Sequence, residues 1–398
     1  MTSIRIAPAF VVIVSGMVAA LHVGKIPPAI PVLREALGLT LVEAGFLLSM
    51  VQMAGMLVGV FVGVATDSIG RRRSLITGQS ILAIASFCGI WAQRPADLLV
   101  LRAFEGFGFL LIVLPAPSLI RQLVPLGKLT LYLGLWGTYM ATGTSLALIA
   151  APAIMSMLGW HGWWGVLAGF SAAMALWVLL EVPAERNDPS AAAPLSAGDS
   201  WWQRLRLTLS SAGPWRIAIT FSMYSSQWLA VIGFLPSIYA QAGLGGQTAG
   251  ALTALACLVN VTGNIAAGRL LHRGVLARHL LYVGFVTMIA ASVLAFGQFT
   301  SEVPVIRYLA VLIFSAVGGL IPGTLFSLAV HVAPSERTVT TTVGWMQQCS
   351  STGQFFGPPI VAWLASQAGG WHWTWVATGI TSLIGLFLAK GVDFTRHA

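Results

Sequence analysis

Twelve apolar stretches recur along the chain, each about as long as the roughly 20 helical residues that cross a bilayer's hydrocarbon. Their limits are approximately 6–24, 41–65, 74–93, 97–124, 129–154, 163–181, 215–239, 247–271, 278–298, 304–332, 338–365 and 371–390. Hydrocarbon offers no hydrogen bonds to the backbone, so runs of this length fold as helices that satisfy their own N–H and C=O groups. Only 8% of the 398 residues are charged and 57% are hydrophobic, against about 25% charged in soluble domains. That composition excludes a soluble fold and a disordered chain. Cys88, Cys257 and Cys349 each lie inside an apolar run, which excludes a disulfide scaffold and predicts reduced, buried thiols. The first run lacks a small-residue cleavage site and more spans follow it, so it is expected to be a retained helix.

The chain repeats itself. Pro31-Val32-Leu33 returns 205 residues later as Pro236-Ser237-Ile238, Gly38-Leu39 as Gly243-Leu244, Ala44-Gly45 as Ala249-Gly250, Gly63 as Gly268 and Arg102 as Arg307. At an offset of 211, Gly159-Trp160-His161 returns as Gly370-Trp371-His372. Two six-helix halves in parallel orientation follow, 1–181 and 215–398, an arrangement that builds a cavity between halves. Residues 182–214, with Pro183, Pro189 and Pro194, read as a linker. It ends in Ser200-Trp201-Trp202-Gln203-Arg204-Leu205-Arg206, where a Ser-x-x-Gln cap and tryptophans beside arginines fit a short helix at the membrane interface or in solvent.

Twelve spans put both termini and the linker on one side, so each of the 21 basic residues can be assigned. Sixteen fall on that side and three, Lys25, Arg34 and Arg94, on the other. The positive-inside bias makes the termini cytoplasmic and the basic excess topogenic. Nucleic acid is not expected as a partner, because binding it needs clustered basic side chains on one folded surface. Arg102 and Arg307 remain, both inside spans, where a charge costs at least ~2.5 kcal/mol and signals function. Glu105 lies one turn from Arg102 on the same helix face, and His22 and Lys25 approach the same depth on the first span.

The loop after the second span reads Gly63-Val64-Ala65-Thr66-Asp67-Ser68-Ile69-Gly70-Arg71-Arg72-Arg73. It resembles the Gly-x-x-x-Asp-(Arg/Lys)-x-Gly-Arg-(Arg/Lys) signature of the major facilitator superfamily, with Ser68 in place of a basic residue. Gly268-Arg269-Leu270-Leu271-His272-Arg273-Gly274 is a decayed second copy, and Arg102-Ala103-Phe104-Glu105-Gly106-Phe107-Gly108 resembles the fourth-helix motif with Glu105 replacing Gln. Pro31-Val32-Leu33-Arg34, Leu114-Pro115 and Gly159-Trp160-His161 are similar to stretches of the cyanate and nitroimidazole permease group. The resemblance implies an all-α fold of two pseudo-symmetric six-helix bundles, alternating access, and a cavity lined by helices one, four, seven and ten. It also implies that Gly63, Asp67, Gly70, Arg71 and Arg72 latch one conformation; an Asp in a turn among arginines can cap a helix and pair with a guanidinium.

The expected activity is secondary transport of a small organic or inorganic anion by a monomer in the inner membrane, as uptake, with proton coupling through Glu105. Two guanidinium forks, Arg102 and Arg307, suit a small planar anion. His22, Tyr139, Tyr224, Gln227, Asn260 and Gln348 complete the expected substrate residues; Gln227 stands 205 residues after His22, and Tyr224 three residues before Gln227 on the same face. Proton-driven drug efflux is the alternative. A membrane enzyme would need an acid–base pair, nucleophile or metal cluster, and the seven scattered histidines show no ligand spacing. No cofactor or metal is expected.

Overall fold

The computed structural model describes residues 7–184, 201–335 and 338–391, except for the side chains of residues 62–69, 126 and 130. The side chain of Asp67, at the centre of the expected latch, therefore lies outside the described residues, as do Gly63 and Ser200. Among the described residues all regular structure is helical.

Among the described residues, nine segments are long and apolar enough to cross a membrane. One of them, Gly127–Glu181, is two spans in sequence: within its long helix Tyr139–Glu181, Gly159 takes φ 66° and ψ 177°, a conformation costly to any residue with a Cβ. The less apolar helices Arg71–Gly89 and Val339–Ala368 supply the third and eleventh spans, completing twelve. Pro8, Pro95 and Pro304 each open a helix within its first turn, where a missing N–H breaks no bond. Thr40 and Glu43 cap the start of the second span reciprocally.

The backbone repeats as the sequence does. All six described glycines with positive φ fall into pairs at matching loop positions: Gly38 with Gly243, Gly70 with Gly274, and Gly159 with Gly369. Packing repeats too. Gly143 of the fifth span sits against the carbonyl of Met17, and Gly353 of the eleventh against the carbonyl of Ser222, so a Cβ at either would collide with backbone. Met17 and Ser222 are 205 residues apart and the two glycines 210. Gly78 and Gly108 likewise bring the third and fourth spans into backbone contact, the close approach small residues permit in membrane bundles.

Packing groups the chain into two compact units. The first contains Met1–Ala184 with Leu229–Leu258 and Phe355–Trp371; the second contains Glu185–Trp228, Val259–Gln354 and His372–Ala398. The first unit gains parts of the seventh, eighth and eleventh spans through specific contacts. Gly250 abuts the Leu148 carbonyl and Pro152, Gly45 abuts Pro358 and Pro359, and Ser145 Oγ donates to the Ala254 carbonyl at 3.2 Å. Large apolar side chains such as Met157 and Phe387 are outward-facing, 83% and 72% exposed, as a surface solvated by lipid requires.

Candidate functional site

The first span ends where the sequence says it must. Pro27 and Pro28 lack the N–H groups that would continue the ladder, so the Pro8–Gly24 helix stops with Lys25 at its C-cap and a single tight turn follows at Pro27–Ala29. The last carbonyls of the helix are left to side chains. Arg102 Nη1 donates to the His22 carbonyl at 2.7 Å, and Trp163 Nε1 to the Lys25 carbonyl at 3.2 Å. A guanidinium at a helix C-terminus also meets the negative end of its dipole.

Around that break four spans build a sealed polar cluster. Glu105 is its hub: Oε2 accepts from Arg102 Nη1 at 2.6 Å, and Oε1 accepts from Ser86 Oγ at 2.8 Å and from Lys25 Nζ. Lys25 Nζ also donates to Ser86 Oγ at 2.9 Å and stands 4.7 Å from the centroid of the Trp164 ring. His22 Nε2 meets Ser171 Oγ at 2.8 Å, while Nδ1 faces Ser86 Oγ at 3.3 Å and Glu105 Oε1 at 3.5 Å. Arg102 Nε donates to the Leu47 carbonyl at 3.2 Å, and its Nη2 is buried without a hydrogen-bond partner among the described residues. His22, Lys25, Ser86, Arg102 and Glu105 are each at most 1% exposed.

Three of these residues were singled out in the sequence, and a fourth corrects its sequence placement. Arg102, Glu105 and His22 converge in one place. Lys25, counted among the outer loop charges, is fully buried. The proline pair marks the end of the apolar run, which made Lys25 look like a loop residue. Its three-residue spacing from His22, on one helix face, was the signal pointing inward. Ser86, Ser171, Trp163 and Trp164 had no sequence signal beyond lying in spans.

The other expected site residues fall elsewhere. Arg307 is half-buried; its Nη2 donates to the Gly297 carbonyl at 2.7 Å and its Nε to Thr300 Oγ1 at 3.2 Å, tying it to the end of the preceding span. The 205-residue offset does not make it the structural counterpart of Arg102. Arg102 is eighth in the helix opened by Pro95 and Arg307 only fourth in the one opened by Pro304, a difference of about 6 Å in helix rise. Counted from those prolines, Arg102 and Glu105 correspond to Val311 and Phe314, and at the offset of 205 Lys25 corresponds to Ala230, all buried.

In the second unit the polar layer is uncharged. Asn260 Nδ2 donates to the Tyr224 hydroxyl and to the Ser315 carbonyl, both at 2.8 Å, and Trp228 Nε1 donates to Ser315 Oγ at 3.1 Å. Gln227 Oε1 accepts from Ser382 Oγ at 3.0 Å. This pair repeats His22–Ser171, since Gln227 follows His22 by 205 residues and Ser382 follows Ser171 by 211. Tyr139 stacks on Trp136 with centroids 4.3 Å apart, both rings lying over Gly16. Gln348 is half-buried, its carbonyl accepting from Thr352 Oγ1 at 3.0 Å. Arg72 Nη2 donates to the Leu179 carbonyl at 2.7 Å, joining the start of the third span to the end of the sixth. A separate cavity of about 470 Å³, lined by Pro31, Arg34, Glu35, Gly38, Leu39, Ser237, Ala240 and Gln241, contains none of the expected substrate residues.

A repeated helical membrane bundle thus holds a charged cluster sealed inside one repeat. The Major Facilitator Superfamily model matches residues 9–351, and the chain belongs to that superfamily. It is 24% identical to the 2-nitroimidazole transporter of Escherichia coli over 371 residues, 90% of this chain and 88% of that one. It is 22% identical over 173 residues to an uncharacterized MFS-type transporter of Methanocaldococcus jannaschii, a match covering 42% of this chain but only 45% of the relative. A Mycobacterium tuberculosis MFS-type transporter is 26% identical over 174 residues, covering 44% of this chain and 25% of the relative. Among solved structures, a bacterial homologue of the human lysosomal transporter Spinster superposes with TM-score 0.78 at 15% identity, covering 96% and 95% of the two chains. A D-xylose–proton symporter superposes with TM-score 0.73 at 17% identity, covering 98% of both.

Proposed function

We propose that this transporter carries a small planar anion across the inner membrane by alternating access, as a monomer with cytoplasmic termini, taking the solute up together with a proton. The carrying observation is the sealed cluster, in which two basic side chains and a histidine surround one carboxylate. The scaffold does not demand these charges, because Val311, Phe314 and Ala230 fill the corresponding positions of the second half. A buried charged network is expensive to keep, so its presence in one half alone supports a role in transport.

Arg102 is the anion ligand in this reading. Two of its nitrogens hold the cluster together, and Nη2 is left to donate to a solute oxygen or ring nitrogen when the cluster opens. Arg307 adds positive field from its own helix end, while Tyr224, Gln227, Asn260, Tyr139 and Gln348 contribute neutral hydrogen bonds. The likeness to a 2-nitroimidazole transporter supports a planar, weakly acidic solute whose conjugate base spreads its charge over several atoms. The halves 1–181 and 215–398 rock about the linker 182–214, and Gly63, Asp67, Gly70, Arg71 and Arg72 latch one state.

The test is flux into proteoliposomes of radiolabelled cyanate, nitrate and 2-nitroimidazole, with empty vesicles as control and with or without a pH gradient. Saturable counterflow of one of them, increased by an inwardly directed proton gradient, is the expected result. Linear, unsaturable flux would indicate a channel. Absence of anion flux, together with extrusion of cationic dyes, would replace this reading by drug efflux.

A further inference from the structure

We propose that Lys25 is the group that carries the transported proton, with Glu105 staying ionised throughout the cycle. The inference deepens the proton-coupled reading above and rests on it.

Hydrogen-bond geometry separates the four titratable or charged members of the cluster. Glu105 accepts three donors: Lys25 and Ser86 on Oε1 and Arg102 on Oε2. Protonating the carboxyl would set an O–H against one of those donors and leave it unsatisfied in a sealed site, at the cost of a lost charge-assisted bond. Arg102 is held by its bonds to Glu105 and to the His22 and Leu47 carbonyls. Among the described residues, His22 has a hydroxyl at Nε2 and faces Glu105 through Nδ1, so the neutral ring with its hydrogen on Nδ1 satisfies both nitrogens.

Lys25 is different. An ammonium has three N–H groups, and two of them have oxygen acceptors, Ser86 Oγ and Glu105 Oε1. The third has no oxygen partner among the described residues and faces the ring of Trp164. Losing that proton leaves an amine that still makes both hydrogen bonds, each donor keeping its acceptor, and gives up the charge–charge part of the Glu105 contact and the cation–π contact with Trp164. Charge balance agrees. Arg102 and Glu105 cancel, so a protonated Lys25 leaves the sealed cluster with one net positive charge and a neutral Lys25 leaves none.

Among the described residues, Glu105, Arg102 and His22 are the titratable or charged side chains joined to Lys25 in this cluster. The third span contributes Ser86, and the sixth contributes Trp163, Trp164 and Ser171. The fifth brings Thr144 and Ala147 against Gly24, with Tyr139 more than a turn away beside Gly16. The break at Pro27–Pro28 places Lys25 at a discontinuity, where the backbone can readjust without breaking a continuous helix. In each cycle one proton binds Nζ as the anion enters, neutralising it, and leaves to water on the other side as the anion departs.

Two measurements on the full-length protein test this. The first is tryptophan fluorescence of the purified transporter against pH, with the Trp164 component isolated by comparison with Trp164→Phe. The expected result is a titration that disappears in Lys25→Met and Lys25→Arg and persists, displaced, in Glu105→Gln. Lys25→Met leaves Arg102 and Glu105 balanced, and Lys25→Arg keeps the charge, so one of the two folds even if the other does not. A Trp164 titration that survives both lysine substitutions overturns the inference, as does its absence in the wild type.

The second is accumulation of radiolabelled 2-nitroimidazole in proteoliposomes under a pH gradient. The expected result is accumulation by the wild type, with the Lys25→Met ratio of inside to outside falling to one. Accumulation by Lys25→Met equal to wild type overturns the lysine inference while the coupled reading stands. Saturable exchange by the wild type without gradient-driven accumulation overturns the coupled reading itself, and the lysine inference with it.

Discussion

Glu105 holds together a site that would otherwise contain only positive charge. Removing one partner of a buried, hydrogen-bonded ion pair costs about 3–5 kcal/mol, because the surviving charge is left without compensation. Glu105→Ala is therefore expected to lower stability by roughly that amount, measured by denaturant or thermal unfolding in detergent. Adding Lys25→Met to Glu105→Ala removes one of the two stranded cations, so the pair of substitutions should destabilise less than the sum of the singles. Strict additivity would show that Lys25 and Glu105 do not interact energetically. The two arginines should also separate. Arg102→Ala is expected to weaken solute binding about tenfold or more, the size of one lost charge-assisted hydrogen bond. Arg307→Ala, whose guanidinium is bonded to Gly297 and Thr300, should change binding by less. Equilibrium binding of labelled solute to purified protein compares them, and equal effects would restore a symmetric two-arginine clamp.

Helices in this protein meet through backbone contacts that only small residues allow. Gly143 against Met17 and Gly353 against Ser222 are the same contact made twice, and in each a side chain would strike a carbonyl. Gly143→Leu and Gly353→Leu should each cost about 1–3 kcal/mol or more through overpacking. Unfolding of either variant at the wild-type midpoint would show that the helices can separate there without loss. This scale is also where the sequence was most and least readable. Apolar length and the repeated Gly-Leu and Trp-His pairs pointed to the twelve helices. Lys25 was not readable in the same way, because a charge beside Pro27–Pro28 has the composition of a loop although tertiary packing buries it. The match of Arg102 with Arg307 failed for a related reason. A fixed sequence offset ignores the four residues by which the fourth and tenth spans start out of register, and only the structure shows where each helix begins.

At the scale of the whole molecule, the sealed charged cluster belongs to the first half, while the Asn260–Tyr224 and Gln227–Ser382 contacts of the second half are uncharged. The Gly45 contact with Pro358 and Pro359 and the Gly250 contact with Leu148 and Pro152 join spans from both repeats inside one compact unit, and alternating access requires such contacts to open and close. Gly250→Leu is expected to reduce counterflow at least about tenfold by preventing close approach of the eighth and fifth spans; unchanged counterflow would mean that this contact does not close during transport. The central claim is that anion and proton cross together through the Lys25–Glu105–Arg102 cluster. Its most direct measurement is the internal pH of proteoliposomes loaded with a trapped pH-sensitive dye, after a saturating solute is added outside. Internal acidification that tracks solute entry in the wild type, and vanishes in Lys25→Met, is predicted. Saturable solute entry with no proton movement beyond that of empty vesicles would contradict the account.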